Sequence, residues 1–246
     1  NKQQEDVSPK FGLTFANQLS DKFAVAGSIS YFDRKFGTDN KEIDGGWINE
    51  DDEDNEIDAF VPAELELRDY VVKRRRLGAA LNIDIRPSED HDLYVRGLFS
   101  DFKDSELRSR MELKMEDGEF DLDNSDIGND IVYMNGIEAD RDMKDRIETQ
   151  KILSVVVGGE SRFNELTATY SIAYSHSEEA EPDRVDTDFK GEDFNAGIDF
   201  SDALMPTSTF LNSSDLASIS DLSAYEIDAI EYSDNITEDD QLAFKL

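Results

Sequence analysis

Strict alternation of apolar with small or polar residues is the feature of this sequence that most restricts its fold. From Phe11 to Leu19 the odd positions are mostly apolar, and the pattern resumes at Phe23 after a short turn. A period of two is typical of a β-strand with one apolar face. Pairing Leu19 with Phe23 sets Phe15 opposite Gly27 on that face, so the pattern predicts a β-hairpin in which an aromatic ring lies over a glycine.

Two further hairpins follow from the same pattern. Residues 77–85 and 93–99 alternate on either side of a turn at 87–92, and pairing Ile85 with Leu93 sets Leu81 opposite Gly97. Residues 151–157 and 166–174 alternate around a turn at 159–164, and a separate seventh strand is predicted at 194–200. The apolar residues keep to one face throughout, which indicates one consistent register.

Long acidic segments separate these hairpins. They cover residues 38–69, 117–145, 177–193 and 202–240, in a chain with 58 acidic against 25 basic residues and a net charge of −33. Such segments are expected to be solvated loops. Short turns that alternate with long loops are typical of bacterial outer-membrane barrels. The sequence therefore predicts an all-β fold: part of an antiparallel up-and-down transmembrane β-barrel, with roughly seven or eight strands, short periplasmic turns and long outer loops.

The composition also excludes several classes of function. The acid excess disfavours nucleic acid as a partner, and the absence of cysteine excludes disulfides, thiol catalysis and zinc–thiolate sites. His91 is expected in a solvated turn and His176 at the membrane interface, too far apart to suggest a metal site. Residues 121–128 resemble the start of an EF-hand loop, but the glycine comes too late and Val132 stands where glutamate is needed. We therefore expect no catalytic residues, no metal site, no cofactor and no enzyme.

One basic run, KRRR at residues 73–76, stands out in this acidic chain. Strand parity places Lys73 and Arg75 on the apolar face, where we expect them to contact the phosphates of lipopolysaccharide or other outer-membrane lipids. Arg74, Arg76 and Arg96 lie on the opposite face, which would line the barrel interior. There they form ion pairs within the wall, or they bind a ligand; the sequence leaves both alternatives open.

Several segments together resemble the barrel of TonB-dependent outer-membrane receptors. They are RDYVVKRRRLGAALNIDIRPSED at 68–90, DLYVRGLFSDFKD at 92–104, KFGLTFAN at 10–17 and LTATYSIAY at 166–174. The chain is most similar to the large receptors of alphaproteobacteria and xanthomonads, several of which are linked to carbohydrate uptake. The acidic segments carry none of this resemblance.

The resemblance implies active uptake of a scarce ligand, an oligosaccharide or a ferric siderophore, across the Gram-negative outer membrane. Such receptors have a plug domain inside a barrel of about 22 strands and are driven by the TonB energy-transducing complex. Neither the plug nor a TonB-contacting segment is visible here, so we expect residues 1–246 to be part of a longer barrel. The alternatives are a passive porin-like barrel and a soluble acidic β-sandwich or adhesin module, in which a second sheet would cover the apolar face.

Overall fold

The computed structural model describes residues 7–52, 57–202 and 204–246. Helix is confined to short pieces: α1 at Ser213–Ser220 and 3-10 turns at Met115–Asp117, Leu122–Asn124, Ile127–Asn129 and Leu222–Ala224. In the part of the chain that is described, no helix is long and apolar enough to cross a membrane. The remainder is dominated by strands, which are β1 (Lys10–Ser20), β2 (Phe23–Asp52), β3 (Ile57–Ser88), β4 (His91–Lys114), β5 (Glu119–Phe120), β6 (Ile131–Phe163), β7 (Leu166–Asp199), β8 (Thr207–Thr209) and β9 (Glu226–Lys245).

All strands belong to one antiparallel sheet. The long strands follow one another as an up-and-down meander, β1-β2-β3-β4-β6-β7, with β9 on the outer side of β7. The short β5 and β8 pair with the far ends of β6 and β7. Among the described residues β1 pairs only with β2 and β9 only with β7, so the sheet that they form is open. The predicted all-β, up-and-down class, with the form of a partial barrel, is confirmed.

The predicted registers are confirmed except at one position. Phe15 lies opposite Gly27, and Leu81 lies opposite Gly97. The expected pairing of Leu19 with Phe23 is wrong, because an irregularity between Gln18 and Ser20 pairs Phe23 with Ser20 instead. The Phe15 ring covers Gly27 so closely that an added Cβ would lie 2.7 Å from a ring carbon. A side chain at position 27 would therefore have to displace the Phe15 ring.

The expected acidic loops are mostly strand, which corrects the sequence analysis. The β2–β3 ladder continues through the predicted loop 38–69 as far as Asp52 and Ile57; residues 53–56 of that loop lie outside the described residues. Residues 131–145 of the predicted loop 117–145 belong to β6, and residues 226–240 of the predicted loop 202–240 belong to β9. All of 177–193 belongs to β7, so the predicted seventh strand at 194–200 is the end of β7. β3 alone has 32 residues, roughly 100 Å of extended chain.

The two ends of the sheet differ as predicted. Two-residue turns at 21–22, 89–90 and 164–165 lie at one end, which we call the short-turn rim. The connections around 115–130 and 200–225 lie at the opposite end, the long-connection rim. Among the described residues, the two-residue turns and the long acidic connections therefore lie at opposite rims.

One face of the sheet is apolar toward both ends and charged in between, and we call it the apolar face and the other the polar face. The apolar face is bare near the short-turn rim: Phe11, Phe15 and Leu81 are 56%, 49% and 45% exposed. We call this region the bare half. Its central row crosses all the long strands through Phe15, Gly27, Leu81, Gly97, Val155, Tyr174 and Leu242.

Near the long-connection rim the same face is buried, and we call this region the covered half. Residues 115–130 and 200–225 fold over it. Ile219 of α1 is 1% exposed, and the Tyr225 ring stacks on Phe194 with the ring centroids 5.4 Å apart. The connection that follows β7 reaches as far as β2, where Phe200 contacts the ring of Trp47. The covered sheet residues include Val61, Leu65, Leu113, Val132, Met134, Ile137, Ala139, Ala196 and Ile198.

Candidate functional site: the charged polar face and the cationic belt

The polar face of the covered half carries a lattice of ion pairs across β2, β3, β4, β6 and β7. Its centre is Arg110, which contacts Glu66 at 2.5 Å, Glu112 at 3.0 Å and also Asp142. Glu66 and Asp142 are 1% and 4% exposed. Buried carboxylates require such partners because desolvating an unpaired charge is costly. Glu66 and Asp142, which belong to the acidic segments that suggest loops in the sequence, are thus paired with a base of a neighbouring strand.

The lattice extends to β7 through several lysines and arginines. Lys114 contacts Glu138 at 2.6 Å and Asp140 at 2.8 Å, and Lys144 contacts Glu106 at 2.7 Å. The remaining pairs are Arg108–Asp142, Arg146–Glu106, Arg146–Glu181, Arg184–Asp186 and Lys190–Glu138. Each pair joins neighbouring strands or neighbouring residues of one face, so the lattice stiffens the long ribbons beyond the bare half.

The lattice shifts the pKa values of Glu112 and Lys114. Burial raises the pKa of Glu112 to about 7, helped by a hydrogen bond to Glu64, while Arg110 acts in the opposite direction. Burial by itself would lower the pKa of Lys114, but its hydrogen bonds to Asp140 and Glu138 outweigh burial and raise it. Glu112 therefore changes charge near neutral pH.

One group of described carboxylates is compact enough to hold a cation. Ligand oxygens of Asp44, Glu64 and Glu66 lie within 4.8 Å of one another. Glu66, however, already contacts Arg68 and Arg110, which supply the positive charge that a metal would bring. The EF-hand-like segment likewise uses its first acid locally, since Asp121 accepts hydrogen bonds from the 3-10 turn that follows it.

The arginines predicted to line the interior lie on the polar face, but they divide into two kinds. Arg74 forms an ion pair with Asp104 at 2.9 Å. Arg96 pairs with Asp84 and donates to the carbonyl oxygen of Ile83 at 2.9 Å. Arg74 and Arg96 therefore form ion pairs within the sheet, which is the first of the two alternatives that the sequence left open. Arg76 has its guanidinium 4.6 Å from the centroid of the Phe102 ring.

The residues predicted to contact lipid headgroups lie on the apolar face, just beyond the bare half. Lys73 and Arg75 join Lys103 and Ser105 of β4 around a shallow cavity of about 150 Å³. We call Lys73, Arg75 and Lys103 the cationic belt. Asp33 lies 3.7 Å from Lys73. Sequence reasoning missed Lys103, although the predicted register, which pairs Arg75 with Lys103, contained the necessary signal.

A second residue was missed on the polar face. Arg34 lies directly across from Arg74, with its guanidinium 4.4 Å from the centroid of the Phe36 ring. Strand parity predicts that Arg34 lies on the polar face. However, no turn flanks residues 33–37, so the sequence has no local signal that marks them as part of a strand.

The histidines lie at opposite edges of the bare half. His91 is the first residue of β4 and half-buried, so the expected solvated turn position is wrong. Its Nδ1 hydrogen-bonds to Ser161 at 2.8 Å, and its ring meets the edge of Phe163. His176 lies beside Asp240, with Nδ1 3.1 Å from a carboxylate oxygen.

Fold and site together define an open, all-β wall with one apolar face and one polar face. Comparisons with family models, with curated proteins and with solved structures found no match. The inferences that follow therefore rest on the geometry of the chain itself.

Proposed function

We propose that this chain forms part of the wall of an outer-membrane β-barrel, and that the whole protein is a receptor of the TonB-dependent class that takes up a scarce ligand. The observation that carries the proposal is the contrast on one face of the sheet. The apolar face is bare beside the short-turn rim and covered by the chain's own segments at the other end.

The dimensions of the bare half fit a bilayer. β1 spans 11 residues and is exposed throughout, and a tilted strand of about 9–11 residues crosses the hydrocarbon core. Water would make this surface costly, since each large apolar side chain transferred out of water gains about 1.5–3 kcal/mol. Lipid contact explains why no second layer covers Phe15 or Leu81.

The open edges of the sheet support barrel closure. In hydrocarbon every backbone N–H and C=O group needs a partner, so strands cross only as closed barrels. The outer edges of β1 and β9 have no partner strand among the described residues. Further strands of the same protein would pair with them, and the polar face would then line the interior.

The cationic belt supports the same orientation. Lys73, Arg75 and Lys103 lie on the lipid side just above the bare half, at the depth where lipopolysaccharide phosphates lie in this arrangement. Beyond the belt the sheet is ion-paired and covered, as expected for ribbons that project into water on the outer side.

Ligand uptake follows from this architecture by the resemblance stated above. An oligosaccharide or a ferric siderophore would be captured by the outer ribbons and admitted past a plug driven by TonB and the proton gradient. The protein would bind and transport rather than catalyse. A passive porin shares such a wall and lacks the plug. A soluble β-sandwich is disfavoured, because no second sheet covers the bare half among the described residues.

The location is tested by fractionating cells that express the full-length protein. We expect recovery in outer membranes, extraction only by detergent, and a folded form that migrates differently on gels before and after heating. Recovery in the soluble fraction without detergent would contradict the proposal. Uptake is tested separately: ligand accumulation should stop when TonB is deleted, whereas a porin would be unaffected.

A further inference from the structure

We propose that Arg34 and Arg76, with the Phe36 and Phe102 rings beside them, form a binding site on the polar face for a carboxylate-bearing ligand. The inference rests on the proposed function, because it takes the polar face to be the interior of the barrel. It assigns that interior an anionic ligand.

The first step is a comparison of arginines on the polar face. Among the described residues of that face, Arg34 and Arg76 are the arginines for which no carboxylate contact is found. The others each have one: Arg68, Arg74, Arg86, Arg96, Arg108, Arg110, Arg146, Arg162 and Arg184. In a chain with 58 acidic and 25 basic residues, two adjacent exceptions require a reason.

The second step is the charge around them. Arg34 lies across from Arg74, and Phe32 lies between Lys10 and Arg76 in the neighbouring row. Asp104 is the carboxylate that reaches this group, and it is taken up by Arg74. Among the described residues, four cations thus lie beside one acid, Asp104, in this part of the polar face. The next acid in the row, Glu148, contacts Arg146 and Gln150.

The third step is how the two guanidiniums are held. Arg34 lies 4.4 Å from the centroid of Phe36, and Arg76 lies 4.6 Å from the centroid of Phe102. An aromatic face holds the guanidinium plane by cation–π attraction but does not occupy its N–H groups. The N–H groups remain available to donate paired hydrogen bonds, and carboxylate oxygens match the spacing of that fork.

The chain as a whole is negatively charged and repels an anionic ligand, whereas the cations around Arg34 and Arg76 attract it at short range. Both arginines are exposed on the wall, so binding requires no rearrangement of the ion-pair lattice. An acidic oligosaccharide and a ferric carboxylate complex both present the required group. The test separates these two sources.

The experiment uses the full-length protein in detergent micelles and isothermal titration calorimetry. The probes are trigalacturonate, its neutral counterpart galactotriose, and ferric citrate. We expect trigalacturonate or ferric citrate to bind about tenfold or more tightly than galactotriose. The one that does so identifies the source of the carboxylate.

The site variant is R34Q/R76Q, and the matched control is R86Q/R162Q. The control removes the same charge from paired, exposed arginines on the same face near the short-turn rim. The site variant should lose the preference for the carboxylate probe, while the control keeps it. Equal binding of all three probes, or an unchanged preference in R34Q/R76Q, would overturn the inference.

Failure of the proposed function would look different. A protein found in the soluble fraction would refute the barrel before any titration. A heat-modifiable protein in the outer membrane that shows no carboxylate preference would refute this site alone. Heating shifts measured on both variants check that they are folded.

Discussion

The bare half and the covered half are built from the same strands with the same alternation, yet they bury their apolar residues in different ways. Leu81 in the bare half is 45% exposed, whereas Leu113 in the covered half is fully buried. The polar face differs in parallel, with small residues such as Ser28 and Ala80 opposite the bare half and ion pairs opposite the covered half. The alternating pattern of a strand thus determines which residues lie on the apolar face. It does not determine whether lipid or other segments of the chain cover that face.

Between the two halves lies a narrow transition. The cationic belt marks its lower edge, and above the belt Val71 and Leu107 are still 40% and 41% exposed. The first apolar rows beyond the charges are thus not yet covered. In our proposal the boundary between lipid and water therefore lies at the cationic belt. The four experiments below compare the regions on either side of it.

The largest effect is expected from Arg110→Met in the covered half. The substitution would leave Glu66 and Asp142 buried without their shared cation, which should lower the free energy of unfolding by about 3 kcal/mol. Arg96→Met near the short-turn rim removes an exposed pair and should cost less than about 1 kcal/mol. Urea titration of the refolded full-length protein measures both. Equal losses would show that the two halves do not differ on their polar faces.

A slightly smaller effect is expected from Leu81→Arg at the centre of the bare half. If this face contacts lipid, the charge should destabilise the protein by about 2–3 kcal/mol in bilayers. If it contacts water, the change should stay within about 0.5 kcal/mol. Folding into vesicles, followed at several urea concentrations, distinguishes the two outcomes. Leu242→Arg provides a comparison, because Leu242 lies in the same row of the bare half as Leu81 but on β9, at the open edge of the sheet.

The covering segment should behave as a separate unit. Ile219→Ala removes a buried side chain of α1 and should weaken the packing of residues 200–225 by about 2 kcal/mol. Cleavage of that segment by added protease should accelerate, while the membrane-inserted portion stays protected. Loss of membrane insertion in this variant would show that the two halves fold as one unit and would remove the distinction drawn here.

The sequence specified the faces, the hairpins and the two rims, because alternation and turn residues are local signals. It did not specify the lengths of the strands. In β2, β6 and β7 the acidic residues suggest solvated loops, and only the bases across the sheet, such as Arg110 opposite Asp142, reveal them as strands. Such partners lie on other strands, so a residue-by-residue analysis does not find them. The covering by α1 is not local either.

The candidate site shows the same division. Parity assigned Arg74, Arg76 and Arg96 to the polar face and Lys73 and Arg75 to the apolar face, and the register confirms those assignments. Which arginines are paired depends on whether an acid lies across the strand, as Asp104 does for Arg74. The sequence therefore left both alternatives open, and the structure separates Arg76 from the other two.

The smallest effect in this series concerns pH and the covered half alone. Burial, together with the neighbouring carboxylates of Glu64 and Glu66, raises the pKa of Glu112 from 4.5 to about 7, and Arg110 acts in the opposite direction. The folded state then binds more protons than the unfolded state between these values, so stability falls as pH rises from about 4.5 to about 7 and levels off above.

Glu112→Gln removes this titration while keeping the shape of the side chain. At pH 8 the variant should be more stable than the parent by about 1–2 kcal/mol, and at pH 4 the two should be equal. Urea titrations at both pH values measure the difference, and Glu179→Gln, an exposed acid on the polar face outside this cluster, provides the control. If Glu112→Gln were less stable than the parent at pH 8, the Arg110 contact would dominate over burial. The ionised Glu112 side chain would then stabilise the folded protein instead of destabilising it.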